Sequence, residues 1–150
     1  PGQSYDQILR DPEILDDSLI QIHEKIINQY NLLLDKHRIS HLDVKPEHIF
    51  VNQDQITFVD MGSSYFPPLL FSSSHSDVPR LNQYLRARFT GTLSHGFRQY
   101  IDHLSQIDKE NQDKISRIQN IVTVISFSTM IGFGISLVYH RSKILRWITG

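Results

Sequence analysis

From residue 15 to residue 33 apolar side chains return at intervals of four and three: Leu15, Leu19, Ile22, Ile26, Tyr30 and Leu33. That spacing is one face of an α-helix. Asp11-Pro12-Glu13 supplies a start signal, so the pattern predicts a helix from about Pro12 to Lys36. The period then changes. Ile49 to Val51 and Ile56 to Val59 are short runs of Ile, Val and Phe around Asn52-Gln53-Asp54-Gln55, a turn rich in residues that bond their own backbone. This is a β-hairpin pattern. The two prolines at 67 and 68 and the serines from Ser72 to Ser76 predict a loop. Helical spacing resumes after Asp77 with Leu81, Tyr84, Leu85 and Phe89, breaks at Thr90 to Ser94, and continues with Phe97, Tyr100, Ile101, Leu104 and Ile107. The expected fold class is α+β, mostly helical, with one small hairpin.

The last third reads differently. Residues 108–117 are charged, an exposed helical extension or linker. From Ile118 to His140, 23 residues carry no Lys, Arg, Asp or Glu, and the apolar part, Ile121 to Tyr139, is 19 long. A transmembrane helix needs about 20 mostly apolar residues. Residues 118–140 are therefore expected to span a membrane, with 141–150 as a basic tail and Tyr139 and Trp147 at headgroup level. Ser128, Gly132 and Ser136 recur every four residues, which lets a second helix approach closely. The alternative is a buried helix, because Thr123, Ser126, Ser128 and Thr129 lower the hydropathy. Flanking Lys and Arg are equal in number, so charge does not orient the span.

Composition alters this picture little. The chain has 150 residues, 39% of them hydrophobic, and a net charge of −1, so no overall field draws it to nucleic acid. The absence of cysteine excludes disulfides, thiolate metal sites and a cysteine nucleophile. Residues 1–60 carry 5 basic and 11 acidic residues, and residues 61–150 carry 10 and 5. The rear half could thus meet phosphate or anionic lipid, or simply be solvated.

The candidate chemistry sits on both sides of the hairpin. The loop before it is His41-Leu42-Asp43-Val44-Lys45-Pro46-Glu47-His48, and Asp60-Met61-Gly62 follows it. The hairpin brings Asp43 and His48 near Asp60, with Lys45 beside them. This arrangement resembles the C-lobe active site of the protein-kinase-like superfamily, whose loop is H-R-D-x-x-x-x-N and whose metal triplet is D-F-G. With His48 at the Asn position it is similar to some lipopolysaccharide-core sugar kinases. The resemblance covers roughly residues 12–107; residues 1–11 are too few for an N-lobe, so a C-lobe alone, as a domain at 1–107, is expected.

The resemblance implies a role for each residue. Asp43 is the base or orienter for the acceptor hydroxyl, and Lys45 neutralises the transferred phosphoryl group and contacts the nucleotide. His41 supports the loop. Asp60 is the metal ligand under the nucleotide, with His48 a second ligand. The cofactors are then ATP and Mg²⁺. An imidazole suits Mn²⁺ or zinc better than Mg²⁺, or hydrogen-bonds instead of ligating. Asp77 is either the helix carboxylate that buttresses the catalytic loop or a plain helix cap. His23, beside the first apolar stripe, reads as a packing or surface residue. Arg80, Arg86, Arg88 and Arg98 are either contacts for a phosphorylated sugar or solvated surface. The short stretch from Asp60 to Asp77, without A-P-E, points to a small-molecule, sugar or glycolipid acceptor.

The expected function is transfer of phosphate from ATP to such an acceptor at a membrane, with the catalytic part on the cytoplasmic side. The alternative is a membrane-anchored, inactive pseudokinase that binds or scaffolds. A metal hydrolase using His41, Asp43, His48 and Asp60 lacks the usual H-E-x-x-H or multi-histidine spacing.

Overall fold

The helix predicted from the first apolar stripe is present, but it begins later than its start signal. The computed structural model describes residues 2–53, 55–64 and 77–149; the side chains of Ser63 and of residues 130–149 lie outside that description. The chain divides into two units, residues 1–109 and 110–150.

The first unit opens with two elements that periodicity does not reveal. Strand β1 (Gln3–Ser4) runs straight into helix α1 (Tyr5–Leu9). Ser4 caps the helix: its hydroxyl accepts from the Gln7 amide, and the Gln7 side chain accepts from the Ser4 amide in return. Arg10 and Asp11 close α1 through their amides on Gln7 and Ile8 carbonyls. Asp11 then forms a turn, its carboxylate accepting from the Glu13 amide at 3.0 Å and its carbonyl from Ile14. This is why Asp11-Pro12-Glu13 does not start the long helix. Helix α2 spans Asp16–His37, with Asp16 and Asp17 at the positive end of its dipole. Leu15, expected on the buried stripe, lies outside the helix and is exposed, whereas Leu19, Ile26, Tyr30 and Leu34 are buried. Arg38 stops the helix in the left-handed conformation.

The hairpin consists of β2 (Ile49–Asn52) and β3 (Gln55–Phe58), paired Ile49 with Phe58 through Asn52 with Gln55. Gln53, in the connection, has a φ of 53°. β1 adds to the other edge of β2, Gln3 opposite Val51 and Ser4 opposite Phe50, giving an antiparallel sheet in the order β1-β2-β3. Helix α3 covers Asp77–Arg88, and helix α4 runs His95–Thr149. Ser94 caps α4 by accepting from the Phe97 amide while donating to Asp16.

Tyr5, Ile8, Leu19, Ile26, Tyr30, Ile49, Leu81, Leu85, Phe97 and Ile101 form the core of the first unit. Each such side chain contributes roughly 1.5–3 kcal/mol of burial. His23 sits at its centre, with no exposure. Nε2 lies 3.0 Å from the Asn82 Oδ1, an acceptor, so Nε2 carries the proton and Nδ1 accepts from the Tyr5 hydroxyl at 2.8 Å. Phe97 and Tyr100 meet the ring edge-on. One imidazole thereby ties α1, α2, α3 and the start of α4 together, and burial lowers its pKa to about 4.

Residues 108–117, expected as an exposed helical extension or linker, are helical. Among the described residues no helix is long and apolar enough to cross a membrane. Up to Thr129 the apolar residues of 118–129 alternate with Gln119, Asn120, Thr123, Ser126 and Ser128, which dilutes them. The side chains at 130–140 that would complete the expected span, including Gly132 and Ser136 of the small-residue repeat, fall outside the described set. So does the expected loop at 65–76.

Candidate functional site

The loop before β2 is held in place from below by one buried carboxylate. Asp77, the first residue of α3, accepts from the Ser40 hydroxyl at 3.0 Å, the His41 amide at 2.6 Å and the Leu42 amide at 3.2 Å. Asp77 therefore buttresses the loop backbone from the start of α3. Pro79 fits in the first turn of α3, where a helix amide has no partner in any case. Arg80, one turn on, lies 3.7 Å from the same carboxylate. Three donors and a guanidinium offset the cost of burying the charge.

Above this anchor the backbone makes a tight reversal. Leu42 has a φ of 67°, and the Asp43 amide donates to the His41 carbonyl at 2.9 Å, a three-residue turn centred on a leucine. Such a conformation is strained by about 1–2 kcal/mol for a residue with a Cβ. It persists because Asp77 holds the amides of His41 and of Leu42 itself. The turn lifts Asp43 clear of the loop, and Pro46–His48 then form one 3₁₀ turn leading into β2.

Asp60 arrives from the other side. Val59, just past β3, is gripped twice: its amide donates to the His48 carbonyl at 2.9 Å and its carbonyl accepts from His41 Nε2 at 2.9 Å. Asp60 follows in the left-handed conformation, φ 55° and ψ 48°, which Asp tolerates better than most residues. His41 is fully buried, stacked against His48 at 6.1 Å. From this buried position it joins the loop to the end of the hairpin.

Asp43, His48 and Asp60 converge. One ligand atom from each lies within 4.8 Å of the others. The His48 Nε2 is 3.8 Å from an Asp60 oxygen, and its Nδ1 is 3.8 Å from an Asp43 oxygen. Nδ1 is also 3.2 Å from the Asp43 backbone carbonyl, which can only accept. In the neutral ring Nδ1 therefore carries the proton and Nε2 presents its lone pair toward Asp60. A histidine whose second nitrogen donates to a carbonyl is set up as a metal ligand. Two carboxylates and an imidazole nitrogen at this spacing fit a divalent cation, and the nitrogen favours Mn²⁺ or Zn²⁺ over Mg²⁺. Lys45 completes the group, with Nζ 2.9 Å from an Asp43 oxygen. That hydrogen bond holds the Asp43 carboxyl below its usual range and raises the Lys45 ammonium.

Of the four arginines singled out in the sequence, two belong here. Arg80 and Arg88 line a cleft of about 350 Å³ together with Leu42, Asp43, Val44, Lys45, Tyr84 and their neighbours on α3. Arg86 and Arg98 line a different cavity. Arg86 pairs with Asp102 at 2.8 Å, and Arg98 donates to the Thr90 and Leu93 carbonyls. The sequence reading missed Ser40 and Val59, whose contributions are a hydroxyl to Asp77 and a main-chain clamp; Val59 carries no side-chain signal that could have found it.

No protein-family model, curated protein or solved structure matches the chain.

Proposed function

We propose that the first unit is the phosphate-handling C-lobe of a kinase-like phosphotransferase, with ATP as donor and a hydroxyl of a sugar, glycolipid or other small molecule as acceptor. The observation that carries this reading is the convergence of Asp43 and Asp60 on His48 over a loop anchored by Asp77. Phosphoryl transfer asks a protein for positioning and charge neutralisation more than for covalent chemistry.

The residues divide that work. Asp43 accepts a hydrogen bond from the acceptor hydroxyl and aims its oxygen; with its pKa held low it is a weak base and acts chiefly as an orienter. Lys45 keeps Asp43 ionised and offers its remaining ammonium protons to the transferring phosphate oxygens. Asp60 and His48 Nε2 would hold a divalent cation, Mg²⁺ or Mn²⁺, which when bound neutralises charge on the nucleotide phosphates. His41 keeps the two halves of the site in register.

Asp43→Asn and Asp60→Asn in the full-length protein test this. Each is expected to lower phosphate transfer by a factor of about 100 or more, the scale of a lost catalytic group. Unchanged transfer in both variants would remove the assignment. A binding or scaffold module without catalysis is favoured by one observation, the occupation of an Asp43 oxygen by Lys45 at 2.9 Å. Nucleotide binding without transfer in the full-length protein would decide for it.

Membrane attachment through the second unit is part of the same proposal. Ile118, Ile121, Val122, Val124, Ile125 and Phe127 are all more than half exposed, an apolar load that a bilayer would accept. With ATP as donor, the first unit would lie on the cytoplasmic side.

A further inference from the structure

We infer that the cleft between the Leu42–Lys45 loop and α3 takes an acceptor that is already anionic, a sugar phosphate in chemical class. Arg80 and Arg88 hold its acid group while a hydroxyl lies at Asp43. The position of the hydroxyl rests on the phosphotransferase reading; the anion site does not.

Three observations lead there. First, Arg80, Tyr84 and Arg88 stand four residues apart on α3, so they share one face, and the cleft lies along it. Second, the charged lining is lopsided: Lys45, Arg80 and Arg88 against Asp43 alone. The Asp43 charge is already matched by Lys45, and Arg80 is fixed at one end by Asp77. Arg88 is exposed and has no ion-pair partner among the described residues. The cleft therefore keeps a positive charge that an anion would neutralise. Third, its size of about 350 Å³ is at the lower end of the range for small-molecule sites, and Leu42, Val44 and Ala87 give it an apolar floor with Tyr84 beside them. A sugar ring on Tyr84 with its phosphate at a guanidinium fork uses all of these features.

A neutral sugar would leave Arg88 without a partner, and a polynucleotide would need a basic stripe that the net charge of −1 does not supply.

The test is binding by the whole chain, without nucleotide or metal, followed by calorimetry. The probes are glucose 6-phosphate, unphosphorylated glucose, and phosphatidylcholine vesicles with and without phosphatidylglycerol. The sugar phosphate is expected to bind and glucose not to. Arg88→Gln is expected to weaken binding at least tenfold, and Arg80→Gln to do the same. Arg86→Gln removes the same charge from the other cavity and should leave binding unchanged. If the Arg88-dependent binding is seen with the anionic vesicles and not with the soluble phosphate, the phosphate is carried on a lipid headgroup and the anion site stands. Equal binding of glucose and glucose 6-phosphate overturns the inference. So does equal loss in the Arg86 and Arg88 variants, or no binding to any phosphate probe. None of these outcomes touches transfer to a neutral hydroxyl, so the two proposals fail separately.

Discussion

His23 shows how much one side chain can hold. Its ring accepts from Tyr5 and donates to Asn82 in the middle of the core, and burial keeps it neutral down to about pH 4. The unfolded chain takes up the proton near pH 6.5. Because the folded pKa is the lower one, this contribution is complete above pH 6.5 and is lost as pH falls from there toward about 4, a total of roughly 3 kcal/mol. Urea unfolding at about pH 7 and about pH 5 should therefore show a midpoint that drops more in the wild-type chain than in His23→Gln. Parallel drops in both would show that carboxylates elsewhere account for the acid sensitivity. The residue stood beside the apolar stripe in the sequence and read as a packing or surface histidine, and its burial decides for packing. Its role as a junction of four helices was not legible, because three of its neighbours lie 59 or more residues away in the chain and the fourth, Tyr5, is in a segment too short to show a period.

At the scale of elements, the longest and shortest pieces were legible to different degrees. The hairpin could be read from its short runs of Ile, Val and Phe and its turn chemistry to within a residue at each end. The α2 stripe was correct from Leu19 onward, while its start was misplaced because Asp11 closes a turn instead of opening a helix. β1 and α1 were missed: two residues of strand and five of helix give no period to count. Their one signal was Ser4 with Gln7 three residues on, a capping box at the front of the chain. The link from α3 to the loop is where element and site meet. Asp77→Ala would remove the shared acceptor of the Ser40 hydroxyl and two loop amides, and breaking such a buried network costs about 3–5 kcal/mol. Thermal unfolding should record a marked fall in Tm. A Tm within a degree or so of wild type would mean that water replaces the carboxylate and that the anchor is dispensable.

For the molecule as a whole, the site was legible in outline because its residues bracket a single hairpin. H-x-D-x-K-P-E-H and D-M-G are close in the chain, so local geometry suffices to bring them together. The cleft against α3 was not legible, since nothing in the spacing of four arginines says which two share a cavity with Asp43. Residues 1–40 contain no glycine-rich phosphate loop followed by a strand lysine, the pieces that cover ATP in kinases. The 150-residue chain by itself is thus expected to bind nucleotide weakly and not to turn it over, as calorimetric titration with ATP and Mg²⁺ or Mn²⁺ can establish. Tight binding with turnover would refute that expectation.

Val59 carries a different kind of consequence. The site takes its amide and its carbonyl and makes no use of its isopropyl group, and the residue as a whole is 37% exposed. Evolution is then free to vary the side chain at this position while the geometry around Asp60 stays as it is. Proline is the exception, having no hydrogen to give His48. A comparison of related chains would score the position as drifting, although the register of both carboxylates runs through it.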